Sequence, residues 1–131
     1  MAKKSFTSGD LIPYGKHYSE SELWKKLARF AKRVGVKMVY YVLVLYYALV
    51  DPKTPVKYKI VIAGALGYLI LPFDLLPDGF PFAGFADDWA ALLAAVAFVA
   101  TSITEETKAR AKVKLGNWFG QYQESDLGDL A

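Results

Sequence analysis

Four aspartates have the types and spacing to do chemistry. Asp74 and Asp78 lie four apart, Asp87 and Asp88 are adjacent, and no lysine or arginine falls between 74 and 88. Gathered by a tight turn at Asp78-Gly79, such carboxylates would offer the hard oxygen ligands that Mg²⁺ or Ca²⁺ takes, with water or backbone carbonyls completing the shell. Left unneutralised they would raise one another's pKa. A plainer role competes with the metal site. Asp87 or Asp88 can cap the helix that follows, Asp74 can cap a turn after Pro72, and Asp78 can stabilise the turn with Gly79.

Other chemistry is excluded by inventory. With no cysteine and a single histidine, His17, the chain has no disulfide framework, thiolate zinc site, iron–sulfur cluster, cysteine nucleophile or multi-histidine metal site. It has no G-x-S-x-G elbow, H-E-x-x-H pair, phosphate-binding glycine loop or Rossmann fingerprint. Catalysis is not expected.

The aspartates need elements to hold them, and those elements are apolar. Of 131 residues, 54% are hydrophobic and 22% charged, with a mean hydropathy of +0.20, high for a body with so much surface to cover. Residues 1–18 read as a polar, turn-rich lead without the apolar run of a signal peptide. A first helix opens near Ser19 or Ser21, amphipathic over 23–33 and almost wholly apolar over 34–50, where Tyr40, Tyr41, Tyr46 and Tyr47 suit packing or a membrane interface. Asp51-Pro52-Lys53-Thr54-Pro55 stops it. A second helix runs from about 56 to 72, ended by Pro72, and a third from about 87 to 103. The proline- and aspartate-rich loop between them closes a helical hairpin. A fourth, amphipathic helix follows Thr104, and 120–131 reads as a flexible acidic tail. The fold class is all-α, with residues 19–119 as one helical membrane domain.

Both hairpin segments are apolar on every face, as a helix in lipid or deep in a core must be. Eighteen residues span roughly 27 Å at about 1.5 Å per residue, just enough for a hydrocarbon layer of about 30 Å. The pairs Ala63/Gly67, Ala90/Ala94 and Ala91/Ala95 would let backbones approach closely in lipid, although alanine is also simply a good helix former. Lys57 and Lys59 suit snorkelling anchors. Nine basic residues against three acidic ones from Lys3 to Lys37 point to an anionic membrane face. The positive-inside rule then puts both termini in the cytoplasm.

The string at 51–55, the apolar helix after it and LPFDLLPDGFPFAGFADD at 71–88 together resemble the YkvA-like family, a bacterial membrane domain of unknown function. The resemblance covers about 51–103 and maps onto Asp51, Pro52, Thr54, Pro55, Pro72, Asp74, Leu75, Pro77, Asp78, Pro81, Gly84, Asp87 and Asp88. Leu71 stands where the family has a small serine, and Gly79 and Phe85 stand at usually aliphatic positions, so the departures touch packing rather than the acidic residues. The resemblance implies a small membrane domain and supplies no reaction.

The functional expectation is a non-enzymatic protein of the bacterial inner membrane, a helical scaffold or interaction module. Its partners would be the lipid bilayer and a second copy or another membrane protein, not nucleic acid. One alternative gives Asp74, Asp78, Asp87 and Asp88 to divalent-cation binding or ion passage; another is a soluble helical domain whose apolar surface binds a partner or lipid.

Overall fold

The computed structural model describes residues 8–75 and 85–131, with side chains described except at 8, 30, 32–34, 71–75 and 85–88. In chain order it runs through α1 (Ser8–Leu11), a 3-10 segment (Ile12–His17), α2 (Glu20–Val50), α3 (Val56–Leu75), α4 (Phe85–Phe98), a 3-10 turn (Ala100–Ser102), α5 (Glu105–Phe119) and a last 3-10 segment (Glu124–Leu130). No strand occurs among the described residues, so the fold is all-α.

Ser19 starts α2. Its backbone is extended, and its hydroxyl accepts from the amide of Glu22 at 3.4 Å, filling one of the orphan donors of a first turn. The helix is not one straight rod: Gly35, at φ 88° and ψ 166°, breaks it into two segments, a conformation essentially confined to glycine. Beyond the break α2 is the axis of the molecule. Every residue from Met38 to Tyr46 is buried, with α3, α4, α5 and the last 3-10 segment packed around it.

α3 continues to Leu75, one turn past the Pro72 expected to end it. The fixed φ of proline fits a helix, and the turn beyond keeps its own hydrogen bonds, so a long helix can continue with the proline's amide bond missing. Asp74 therefore stands on α3 and not in a loop. From Val61 to Ile70 every residue of α3 except half-buried Ala63 is enclosed. Its cover includes the 8–17 segment, in which Leu11 is fully buried. Gly64 and Gly67 make that approach possible: a Cβ on Gly64 would overlap the Leu11 carbonyl, and one on Gly67 the Tyr14 carbonyl.

α4 is shorter than the expected 87–103. Val99 leaves helical geometry at φ −104°, ψ 15°, and two 3-10 bonds follow, Ser102 N–H to the Val99 carbonyl at 2.8 Å and Ile103 N–H to that of Ala100 at 3.2 Å. Thr104 then caps α5, its hydroxyl accepting from the amide of Thr107 at 3.2 Å. No helix among the described residues is long and apolar enough to cross a membrane. The all-round apolarity of α3 and of the second half of α2 is accounted for by protein packing, since a helix hydrophobic on every face need only be enclosed.

The C-terminal segment packs back on the core where fraying was expected. Leu127 is fully buried, Gln123 and Asp126 exchange hydrogen bonds as a capping box, and the Tyr40 hydroxyl donates to the Leu130 carbonyl at 3.1 Å. Lys112 Nζ holds Glu124 Oε1 at 3.0 Å, tying this segment to α5.

Candidate functional site

The end of the molecule where α2 turns into α3 and α4 turns into α5 gathers free polar groups. Asp51 leads a four-residue turn whose second position is Pro52, a placement that suits the fixed φ of proline. The Asp51 carbonyl accepts from the Thr54 amide at 3.1 Å and its carboxylate from the Lys53 amide at 2.9 Å. Helical hydrogen bonding then starts from the Pro55 carbonyl, which accepts from Tyr58 and Lys59 at 3.0 and 3.1 Å. The sequence thus both stops α2 and starts α3 within five residues.

This turn faces the Ala100–Ser102 turn and the first residues of α5 across a cleft of about 320 Å³ lined by Asp51, Lys53, Thr54, Thr101, Ser102, Thr104 and Glu106. Small-molecule clefts start near this size, at roughly 300 Å³. Thr54 is only 5% exposed, and its hydroxyl has no partner among the described residues, an arrangement native proteins avoid unless something satisfies the group. The other buried threonine, Thr107, shares a 3.1 Å hydrogen bond with Thr104. Glu106 reaches Arg110 at 3.5 Å along the outside of α5.

Beside the cleft runs an apolar surface. α4 buries Ala91, Leu92 and Ala95, and Val99 just past its end is buried too, yet nothing from Trp89 to Ala100 is polar, so the outer positions are apolar as well. Leu93 and Ala97 share one exposed face at helical spacing, with Leu93 49% exposed, neighbouring Phe98 40%, and Ala100 exposed just beyond the helix. The Phe98 ring meets Tyr58 edge-on at 5.3 Å, which joins this face to the first turn of α3, where Val56 is 71% exposed. Lys57 is exposed there, with its Nζ 5.5 Å from the Tyr58 ring, and Lys59 is half-buried.

The expected packing pairs divide differently from their spacing. Ala63 lies against Gly15, Gly67 against the Tyr14 carbonyl, and Gly64, not singled out in the sequence, is as tightly held. Ala90 and Ala94 are half-buried, whereas Ala91 and Ala95 lie in the core. The spacing of the clasp could have been noticed: Gly64 and Gly67 are three apart, as are Leu11 and Tyr14.

Asp74 falls in the last turn of α3 and Asp87 and Asp88 in the first turn of α4; their side chains, and Asp78, Pro77, Pro81 and Gly84 entirely, lie outside the described residues. Among the described residues no group of three or more histidines and carboxylates could hold a metal ion.

The tyrosines of α2 are packing groups. Trp24 meets Tyr46 at 4.7 Å and Trp118 at 5.9 Å, and Tyr41 meets Trp89 at 5.3 Å, all edge-on. Burial, then a hydrogen bond and charge from Glu20, pushes the Tyr46 phenol up to about 12; burial and the Glu124 carboxylate drive Tyr40 up as well. These phenols stay protonated near neutral pH and do not serve as bases there.

Residues 58–94 match a family described as a protein of unknown function, DUF1232. The matched stretch begins on α3 and ends on α4, so it contains all four aspartates while the Asp51–Pro55 turn and α5 lie outside it. It falls within the 51–103 region that resembles the YkvA-like family and is compatible with that resemblance. No curated protein and no solved structure matches the chain.

Proposed function

We propose that this chain is a non-enzymatic helical interaction module that attaches to an anionic membrane surface by the outer face of α4 and the first turn of α3. The observation that carries this reading is the run from Trp89 to Ala100, which holds no polar residue although Leu93, Ala97, Phe98 and Ala100 are exposed. A contiguous apolar face on a small folded protein calls for something to cover it. Lys57 and Lys59 at its edge supply the positive charge that anionic headgroups attract, and Tyr58 the amphipathic ring that sits well at headgroup depth. The buried α2 and α3 form the rigid body behind that face. The module lies on the bilayer by this face and spans nothing.

The test is flotation with vesicles of phosphatidylcholine, with and without phosphatidylglycerol. The wild-type chain floats with the anionic vesicles and less with the neutral ones. A Leu93→Asp/Phe98→Asp variant with an unchanged circular dichroism spectrum stays at the bottom of the gradient. Equal flotation of that variant and the wild type, or no flotation of either, overturns the reading.

A further inference from the structure

The cleft between the Asp51–Pro55 turn and the start of α5 is built for a ligand of its own, and the observation pointing to one is the Thr54 hydroxyl. Thr54 lines the cleft and is 5% exposed, and its hydroxyl has no hydrogen-bond partner among the described residues. Native proteins almost always pair a polar group on a residue this enclosed, and the neighbouring Asp51 carbonyl and carboxylate already accept from the Thr54 and Lys53 amides.

The surrounding groups restrict what could satisfy it. Lys53 is exposed and has no carboxylate partner among the described residues. Thr101 and Ser102 add hydroxyls, and the first turn of the 15-residue α5 adds unpaired backbone N–H groups and a positive dipole end. These groups suit a phosphate. Asp51 and Glu106 line the same cleft, Glu106 also reaching Arg110 at 3.5 Å, and their carboxylates would repel a bare phosphate dianion. Among the described residues no aromatic ring lines it to stack on a sugar. A ligand bearing both signs resolves the conflict: its phosphate toward Lys53 and the hydroxyls, its ammonium toward Asp51 and Glu106.

We propose that this cleft binds an amino-phosphate zwitterion of the size of phosphoethanolamine, with Thr54, Lys53 and the start of α5 holding the phosphate and Asp51 and Glu106 the ammonium. The ligand can come free in solution or as the headgroup of a lipid, and the site does not depend on the membrane reading of α4.

The test is titration of the intact chain with O-phosphoethanolamine, followed by amide chemical shifts. Shifts concentrated at 51–54 and 101–106 are expected, with weaker responses to inorganic phosphate or ethanolamine alone and to phosphocholine, whose methylated nitrogen cannot donate hydrogen bonds. Thr54→Val exchanges the hydroxyl for a methyl and should weaken binding about tenfold or more, the loss of one hydrogen bond to a charged group. Thr54→Ser should restore it. Lys53→Met, at an exposed position that folding does not use, should weaken binding to a similar degree. A wild-type chain without shifts at millimolar ligand overturns the proposal, as do equal responses to phosphate alone or unchanged binding by both Thr54→Val and Lys53→Met. Competition by phosphatidylethanolamine vesicles against the soluble ligand supports a lipid source, and its failure supports a free one. Because the titration needs no membrane, a failed flotation experiment leaves it intact, and the reverse also holds.

Discussion

α3 and α4 are both apolar around their whole circumference, and they are so for different reasons. Over Val61–Ile70, α3 is wrapped by α2, α4 and the Ile12–His17 segment. α4 has an inner line, Ala91, Leu92 and Ala95, against the core, while its outer line remains exposed. Sequence composition treats the two helices alike. What separates them is the 8–17 segment, which crosses α3 at two glycines, whereas against α4 it packs through Ser8–Leu11 and leaves the outer line exposed. All-round apolarity therefore says that a helix must be enclosed and not what encloses it.

The sharpest way to break this contrast is to remove the cover. Gly67→Ala puts a Cβ into the Tyr14 carbonyl, a backbone atom that cannot swing aside as a side chain tip would. A stability loss of about 3 kcal/mol or more is expected, read as a urea midpoint shift. A loss below about 1 kcal/mol would mean that the 8–17 segment does not hold α3 as described, and the difference between the two helices would vanish.

How much of this was legible follows from which interactions are local. The all-α class, the Ser19 and Thr104 starts and the stop at Asp51–Pro55 depend on residues within one turn of each other, and the structure has them. Pro72 signals an end to α3 that a helix of this length runs past. No proline or glycine marks the end of α4 at Val99; the hydroxyl cluster Thr101, Ser102 and Thr104 is its sign in the sequence. The clasp of Leu11 and Tyr14 on Gly64 and Gly67 is a long-range contact whose trace in the sequence is a matched three-residue spacing, and the return of Leu127 to α2 is a long-range contact without a local signature. The cleft around Thr54 joins three separate turns and was invisible for the same reason. The acidic residues stand out in the sequence by their spacing, but their side chains lie outside the described residues; the described geometry around Thr54 gathers hydroxyls.

A smaller effect tests whether α2 itself, the common wall of α3 and α4, is broken at Gly35. In a continuous helix Gly→Ala stabilises by about 1 kcal/mol. At φ 88° and ψ 166° alanine is strained and the sign reverses, to a loss of roughly 1–3 kcal/mol. A Cβ on Gly35 would meet no heavy atom within 4 Å, so the effect reports backbone geometry alone. Thermal melts of Gly35→Ala decide it: a raised Tm means a straight α2.

The smallest effect lies on the outer face of α4. Leu92 and Leu93 are neighbours in sequence, one fully buried and the other 49% exposed. Leu92→Ala empties core volume and should cost about 2–5 kcal/mol. Leu93→Gln changes a side chain that the fold itself barely uses, and its stability should stay within about 0.5 kcal/mol of wild type. Measured in parallel by urea unfolding without lipid, the pair gives the inner and outer faces of one helix on one scale. Should Leu93→Gln cost more than about 1 kcal/mol, α4 is packed on both sides like α3, and nothing remains on its outer face for a membrane to cover. If the stability holds while flotation with anionic vesicles falls, the apolar face serves binding and not folding, which is the property that distinguishes α4 from α3.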